Sequence, residues 1–396
     1  MRVLYISSAD DKYGAPKSMI DMIKPLKSNN NVSPIVIASG KGRLTEFCDK
    51  NKIQSHTVRC SEFMVVGGSN TFRKIVKHSV SPIFVLNYLK IKDASVKAIE
   101  NQVELNKVDV IHTNVNRVDT GAVLSNKYNI PHIWHLREFC KEDYNCMALR
   151  PDYIGYMNSH ATAFIAISDS VKKAWIEKGL DQDKIVVIND GITRDGFDTK
   201  LEYRSNREEQ LKIVFCGLVS ETKGQKILID AINLLPEEEK QKIKVDFYGG
   251  GRKAYIDKLV RLVNFYGLSN QIKFNGYSND LNRKLATYDV GIVASRAEAL
   301  GRVTVEYMYA GLYVIASDSG ANPDILNQGK YGRLFNQGNS HELSEAILYA
   351  LNHPEECKAI SLSAKIMAEK RFDLQNSAAK VHELYKDILR SAGRGN

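Results

Sequence analysis

The chain has 396 residues, of which 43% are hydrophobic and 26% are charged, and its formal net charge is +9. This length predicts two domains, and the composition excludes an intrinsically disordered chain. The positive charge is compatible with nucleic acid, an anionic membrane or a phosphorylated small molecule as a partner. Because the sequence has no long run of Lys and Arg and no zinc-finger spacing, we do not expect nucleic acid.

The beginning of the chain and its cysteines predict a cytoplasmic protein. The apolar run from Val3 to Ile6 is too short for the core of a signal peptide, and no apolar run approaches the length of a membrane-spanning helix. The six cysteines are scattered and form no CxxC pair. This pattern favours reduced thiols over a disulfide framework or a metal site.

In the first half, short β-branched runs alternate with segments of helical periodicity. In chain order these are "RVLYIS", "SMIDMIKPL", "SPIVIAS", "DVIHTN", "TGAVLSNKY", "PHIWHL", "AFIAIS", "SVKKAWIEKGL" and "IVVIND". Apolar runs that alternate with helices are typical of a parallel sheet covered on both faces. We therefore predict a doubly wound α/β domain over residues 1–190.

The pattern stops and then restarts. Residues 191–210 are polar and are predicted to be a linker. From "KIVFCG" the alternation resumes, which predicts a second Rossmann-like domain over 211–372. Residues 373–396 are predicted to form a C-terminal helix and tail, with the helix packing back on the first domain. Two such domains facing a cleft would bind ligands at the carboxyl ends of their strands, although GxGxxG and Walker A sequences are absent.

Two glycine turns follow predicted strands and could receive an anion. Gly14 in "KYGAPKS" precedes a helix predicted to begin near Lys17, and Gly217 in "FCGLVSETKGQ" opens a loop that carries Lys223. Free N–H groups at a helix start favour phosphate, and a lysine beside them adds charge. The alternatives are a plain βα turn for Gly14 and a solvated surface lysine for Lys223.

The stretch "EALGRVTVE" places two carboxylates eight positions apart. Glu298 is predicted in a strand-to-helix loop and Glu306 in the first turns of the next helix, with Gly301 and Arg302 at the helix start. This arrangement suits a polar ligand held by the carboxylates and an anion held between them. An acid/base pair and two solvated charges are the alternatives.

In context these residues resemble a known family. "SRAEALGRVTVEYMYAGLYVIASDSGANPDIL" is similar to the E-x7-E region of the retaining glycosyltransferases of family four, which have the two-domain GT-B fold. "GLVSETKG", "YGGG" and "IKFNGY" also follow the order of that family along nearly the whole chain. The resemblance implies a nucleotide-sugar donor held mainly by the second domain, an acceptor held mainly by the first, no bound metal and no cofactor.

The resemblance also implies roles for individual residues. Glu298 would contact the donor sugar, Glu306 the ribose, and Lys223 the diphosphate. The remaining implied donor contacts are Gly14, Gly217, Gly276, Tyr277, Gly301, Arg302 and Val303. The catalytic assignments are Glu298, Lys223 and Arg137.

The sequence departs from the family pattern in three places. Leu218 stands where the family often has an arginine, so one diphosphate cation is missing and Arg302 is a candidate substitute. Counting from Pro131, the position of the family's histidine is Arg137, which cannot act as a base. His135 and Asn114 are the neighbouring candidates for an acceptor or sugar contact, with a core histidine as the alternative for His135. Asp190, in "NDGI", replaces a frequent asparagine.

The sequence thus predicts a retaining, metal-independent hexosyltransferase that acts on a saccharide or lipid-linked acceptor in capsule, other surface polysaccharide or glycolipid synthesis. A nucleotide-sugar epimerase with the GT-B shape, a glycoside hydrolase and a non-catalytic sugar-nucleotide-binding partner are the alternatives. Residues 72–92 mix basic and apolar side chains at helical spacing. This segment is either an anionic-membrane contact or a domain helix with a basic solvent face.

Overall fold

The computed structural model describes residues 1–7, 14–66, 81–197, 210–278 and 280–393. The chain forms two compact units. The first contains Met1–Gly191 together with Leu374–Asn396, and the second contains Ile192–Asp373.

The first unit is built on a seven-stranded parallel sheet with strand order β3-β2-β1-β5-β6-β8-β9. Two further strands of two residues each, β4 and β7, pair in antiparallel fashion. The strands are β1 (Arg2–Ser7), β2 (Ser33–Ala38), β3 (Gln54–Thr57), β4 (Met64–Val65), β5 (Val110–Thr113), β6 (His132–Leu136), β7 (Met147–Ala148), β8 (Ala163–Ala166) and β9 (Ile185–Val187).

Helices cover both faces of this sheet because its central strands are apolar on both sides. In β1, Val3 and Tyr5 belong to one buried cluster, whereas Leu4 and Ile6 belong to another. The helices are α1 (Gly14–Asn29), α2 (Arg43–Lys50), α3 (Ser81–Glu100), α4 (Thr120–Tyr128), α5 (Lys141–Tyr144), α6 (Tyr153–His160) and α7 (Asp169–Glu177). Short 3-10 turns lie at Leu105–Lys107 and Gln182–Lys184.

The second unit has a six-stranded parallel sheet with strand order β12-β11-β10-β13-β14-β15. Its strands are β10 (Leu211–Cys216), β11 (Ile243–Tyr248), β12 (Ile272–Gly276), β13 (Val290–Val293), β14 (Tyr313–Ser317) and β15 (Arg333–Phe335). Its helices are α8 (Gln225–Leu234), α9 (Glu237–Gln241), α10 (Lys253–Phe265), α11 (Leu281–Leu285), α12 (Arg302–Tyr309), α13 (Asn322–Ile325), α14 (Ser340–Asn352) and α15 (Pro354–Arg371).

The last helix, α16 (Leu374–Ser391), returns to the first unit and packs against α1. Val381 and Tyr385 are buried in the same cluster as Met19 of α1. This packing confirms the predicted return of the C-terminal helix, as the two parallel sheets confirm the predicted fold class.

The structure differs from the predicted linker at one end. Ile192 and Phe197 are buried in the core of the second unit, where the Phe197 ring lies 5.7 Å from the Tyr309 ring, centroid to centroid. These two apolar side chains are too widely spaced to show a helix or strand period within a polar segment. Residues 198–209 of the predicted linker, and residues 72–80 of the predicted membrane-contact segment, lie outside the described residues.

Within the described parts of the chain, each helix is too short or too polar to cross a lipid bilayer.

Candidate functional site

The loop between β10 and α8 brings Lys223 to the carboxyl edge of the second sheet. The loop ends at Gly224, which has a φ of +83° and caps α8. A Cβ atom there would lie 2.1 Å from the carbonyl oxygen of Ala294, so the loop can approach the end of β13 only with glycine at this position. The Arg296 N–H donates to the Thr222 carbonyl at 2.8 Å and ties the two loops together.

Glu298 lies in the loop between β13 and α12 and contacts Lys223 directly. The Lys223 ammonium forms an ion pair with Glu298 Oε1, and the Ser295 hydroxyl donates to the same oxygen at 2.6 Å. The two charged side chains are 32% and 17% exposed, so solvent and ligands can reach the pair. Residues after β14 hold the backbone of this loop in place. The Ala321 N–H donates to the Glu298 carbonyl at 2.7 Å, and a Cβ on Gly320 would lie 2.2 Å from that carbonyl oxygen.

The N-terminus of α12 carries three further predicted residues. Gly301 caps the helix with a φ of +70°, and a Cβ there would lie 2.7 Å from Ile325 Cδ1. Arg302 opens the helix and Val303 follows it, and the first turn contains no acidic residue. Arg302 Nε lies 3.4 Å from Glu306 Oε1. The helix start therefore has the polarity that attracts an anion, with a cation and a carboxylate beside it.

Helix α12 is held against the sheet by a tyrosine that we did not predict. The Cys216 N–H, at the end of β10, donates to the Tyr307 hydroxyl at 2.6 Å. The Tyr307 ring also lies so close to β13 that a Cβ on Gly291 would come within 2.3 Å of it. The sequence "VGIVAS" contained the signal, since a glycine inside a strand often marks a close approach.

Three glycines lie side by side where β10, β11 and β12 end. A Cβ on Gly249 would meet the Gly217 carbonyl oxygen at 1.8 Å, and the Gly249 N–H donates to the Gly276 carbonyl at 2.8 Å. Tyr277, directly after Gly276, is largely exposed, and so is Leu218. At this edge of the sheet, three backbone positions therefore carry no side chain, and an exposed aromatic ring follows the third.

In the first unit, Arg137 is buried and its guanidinium contacts side chains of the same unit. Nη1 forms an ion pair with Asp190, Nε donates to Asn114 Oδ1 at 2.9 Å, and Nη2 lies 3.3 Å from His135 Nδ1. The charged partner of Arg137 in the structure is Asp190, a residue that we had noted only as a variant. The two residues follow β6 and β9, which are not neighbours in the sheet, so their contact had no local signal.

Asn114 connects this ion pair to the predicted glycine turn. Its Nδ2 donates to the Ala15 carbonyl at 3.2 Å, while its Oδ1 accepts from Arg137. Helix α1 begins at Gly14 rather than near Lys17. Among the described residues, no atom lies within 4 Å of the position that a Cβ on Gly14 would take.

His135 is only 1% exposed, which matches the core-histidine alternative. Burial lowers the pKa of His135 and of the neighbouring His112 well below the usual range, and the positive charge of Arg137 lowers both further. Both imidazoles are therefore neutral around pH 7.

The predicted site residues are divided between the two units. The group in the second unit contains Gly217, Lys223, Gly276, Tyr277, Glu298, Gly301, Arg302, Val303 and Glu306, and the group in the first unit contains Gly14, Asn114, His135 and Arg137. The described residues include no cluster of three or more His, Cys, Asp or Glu side chains that could hold a metal ion.

Two family models match adjoining parts of the chain. Residues 43–195 match the model described as Glycosyltransferase Family 4, and residues 198–367 match the model described as Glycosyl transferases group 1. The chain belongs to the group 1 glycosyltransferases. Its two units are the Rossmann-like domains of the GT-B fold, and the family resemblance drawn from the sequence is confirmed.

Individual relatives of this glycosyltransferase are distant. An uncharacterized glycosyltransferase of Methanocaldococcus jannaschii is 24% identical over 81% of this chain and 87% of its own length. The capsular polysaccharide biosynthesis glycosyltransferase CapH of Staphylococcus aureus is 24% identical over 67% of this chain and 75% of its own length. Three further curated relatives are matched over only 38% to 60% of their own length.

Among solved structures, Anabaena HepE in complex with UDP-glucose has the same fold. It superposes with a TM-score of 0.75 at 20% identity, over 98% of this chain and 100% of HepE.

Proposed function

We propose that this chain is a retaining, metal-independent glycosyltransferase that moves a hexosyl group from a nucleoside-diphosphate sugar to a saccharide or lipid-linked saccharide. The observation that carries the proposal is the solvent-accessible pair of Lys223 and Glu298 in the loops before α8 and α12. The complex of HepE with UDP-glucose supports a donor of this class, and UDP-glucose is the first donor to test.

Lys223 and the start of α12 are the proposed diphosphate site. The N–H groups of the first helical turn and the helix dipole favour negative charge, and Lys223 adds a full positive charge. Charge that develops on the departing diphosphate is stabilised by these fixed groups, which take the place of a bound metal.

Glu298 is proposed to hold sugar hydroxyls rather than to transfer a proton or attack the sugar. Its Oε1 already accepts from Lys223 and from Ser295, which lowers its nucleophilicity and fixes its orientation. A carboxylate in this state is a strong acceptor for donor hydroxyl groups. Glu306, which is partly buried on α12 beside Arg302, is proposed to bind the ribose.

Retention of configuration follows from transfer on one face of the sugar. The bond between the anomeric carbon and the diphosphate oxygen breaks, and the acceptor oxygen forms its bond to the same face. The acceptor proton passes to the departing diphosphate oxygen, so no enzymatic base is required. Positioning and charge stabilisation supply the rate enhancement.

The acceptor is proposed to be a precursor of a surface polysaccharide or glycolipid that reaches the enzyme at an anionic membrane. Helix α3 supports this proposal, because Ile83 and Leu86 project from it at 66% and 60% exposure with Lys90 one turn further. The double change of Ile83 and Leu86 to serine should reduce pelleting with phosphatidylglycerol vesicles. Ile366→Ser, which removes a similarly exposed isoleucine of the second unit, should leave the pelleting unchanged.

A thermal-shift screen against nucleotide sugars, beginning with UDP-glucose, tests the donor assignment. We expect at least one nucleoside-diphosphate sugar to raise the Tm of the wild-type protein and to lose this effect in Lys223→Ala. Lys226→Ala is the matched control, because Lys226 lies on α8 and pairs with Asp230 instead. The absence of a shift with every nucleotide and nucleotide sugar would contradict the proposal.

A further inference from the structure

One of the buried side chains of α8 is polar. Gln225, the first residue of this helix, is only 1% exposed. The other buried residues of α8 are apolar, namely Leu228, Ile229, Ala231 and Ile232. Because burial of an amide costs free energy unless its donor and its acceptor are both hydrogen-bonded, an apolar side chain would suit this position better as a core residue. The hydrogen-bond partners of Gln225 must therefore account for its presence.

Both polar atoms of the Gln225 side chain bond to the loop that carries Lys223. Nε2 donates to the Leu218 carbonyl at 3.0 Å, and Oε1 accepts from the Ser220 N–H at 3.3 Å. A carbonyl only accepts and a backbone N–H only donates, so these two partners allow a single orientation of the amide. The side chain thus pairs with the loop backbone as a neighbouring strand would.

Ser220 connects this amide to Lys223. The Lys223 N–H donates to the Ser220 carbonyl at 3.1 Å, so Ser220 is held by Gln225 at its N–H and holds the backbone of Lys223 with its carbonyl. The Lys223 ammonium in turn pairs with Glu298. A continuous series of contacts therefore runs from the buried amide to the solvent-accessible ion pair.

Backbone contacts fix the loop on either side of Ser220. The Val219 N–H donates to the Gly250 carbonyl at 2.8 Å, and the Thr222 carbonyl is bonded to the loop after β13. Ser220 lies between these two contacts, and its N–H bonds to the Gln225 side chain instead. Loss of the amide would therefore release the middle of the loop while both of its ends stay in place.

We propose that Gln225 is a positioning residue, which holds the turn before Lys223 so that the ammonium is in place before a diphosphate binds. A cation that is already ordered stabilises the charge of the diphosphate without a further loss of conformational freedom. The consequence for diphosphate binding rests on the proposed function, whereas the hold of Gln225 on the loop does not.

Hydrogen exchange of the Ser220 amide, followed by NMR of the full-length protein, tests the hold on the loop. Gln225→Met keeps an unbranched side chain of similar length and removes both amide hydrogen bonds. We expect the Ser220 N–H to exchange at least about tenfold faster in this variant. Ser361→Ala, which removes a buried hydroxyl of α15, should leave this rate unchanged. An unchanged rate in folded Gln225→Met would overturn the proposal.

A double-mutant cycle on the Kd for UDP tests whether Gln225 acts through Lys223. We expect Gln225→Met to weaken the binding of UDP about five- to tenfold, and Ser361→Ala to bind UDP as the wild-type protein does. In the Lys223→Ala background, Gln225→Met should weaken binding by less than about twofold, because no ammonium remains to be positioned.

Equal losses of UDP affinity in both backgrounds would show a general structural effect and would refute the positioning role, as would no loss in either. If the wild-type protein binds no nucleoside diphosphate, the proposed function fails. The exchange rate of the Ser220 amide then still decides whether Gln225 holds the loop.

Discussion

Glu298→Gln should separate the binding of a nucleoside diphosphate from the binding of its sugar conjugate. In the unliganded protein, Glu298 holds Lys223, so a diphosphate must compete with this carboxylate for the lysine. Glutamine removes the charge and nearly preserves the shape. We therefore expect UDP to bind more tightly to the variant, whereas UDP-glucose loses the charged acceptor for its sugar hydroxyls.

The exposure of the two side chains sets the size of the effect. Two unit charges about 4 Å apart attract by about 4 kcal/mol at an effective dielectric constant of about 20. Because Lys223 is 32% exposed, solvent screening and side-chain entropy reduce the net value to about 1 kcal/mol. This corresponds to roughly fivefold tighter binding of UDP. The lost hydrogen bond between a charged group and the sugar costs UDP-glucose about 1.5–3 kcal/mol.

Isothermal titration calorimetry with UDP and with UDP-glucose measures both changes. Asp230→Asn is the matched control, because it removes the partner of Lys226 on α8 without touching the site. The reasoning is refuted if the variant binds UDP no more tightly than the wild-type protein, or if both ligands lose affinity equally.

Three further predictions concern stability and geometry. Burial lowers the pKa of His132 to about 4, so the unfolded chain gains a proton that the native protein does not as pH falls from about 6.5 to 4. His132 alone should therefore lower the free energy of unfolding by about 2 kcal/mol between pH 7 and pH 5. His132→Gln should remove this share of the pH dependence in urea titrations followed by the fluorescence of the two tryptophans, both in the first unit. Asp190→Asn should lower the free energy of unfolding in the same assay by about 3 kcal/mol, because it leaves the buried charge of Arg137 uncompensated; a loss below about 1 kcal/mol would contradict this. Gly320→Ala should abolish donor hydrolysis, because Gly320 has a φ of +59° and its new Cβ would strike the Glu298 loop. Gly250→Ala should retain activity, because none of the described atoms lies within 4 Å of its new Cβ.

The sequence predicted most of the fold because the strands are short apolar runs with helices between them. Local pattern alone was enough to infer β1 and β10, which are short apolar runs. It was also enough to place Glu298 in a loop. The contact of Arg137 with Asp190, 53 positions away, and that of His112 with Tyr385, 273 positions away, could not. Such contacts depend on the order of the strands in the sheet and on which residues the last helix brings against it, and neither has a local signal.

The same limit applies to the candidate site. The family resemblance implied that Lys223 and Glu298 belong to one site, but not that the two side chains bond to each other. Ser295, which also donates to Glu298, and Gly320, which supports its backbone, were not predicted. Their roles become visible only when the loops after β13 and β14 are placed side by side.

The release of nucleoside diphosphate from a donor that stabilises the protein tests the central claim most directly. A coupled assay should show UDP release from UDP-glucose, or release from whichever donor raises the Tm, by the wild-type protein and by Lys226→Ala. Lys223→Ala should be at least about tenfold slower, because it loses charge stabilisation of the departing diphosphate. A donor that binds firmly to the wild-type protein but is never cleaved, with water or with any saccharide acceptor, would contradict the account and favour a non-catalytic sugar-nucleotide-binding protein.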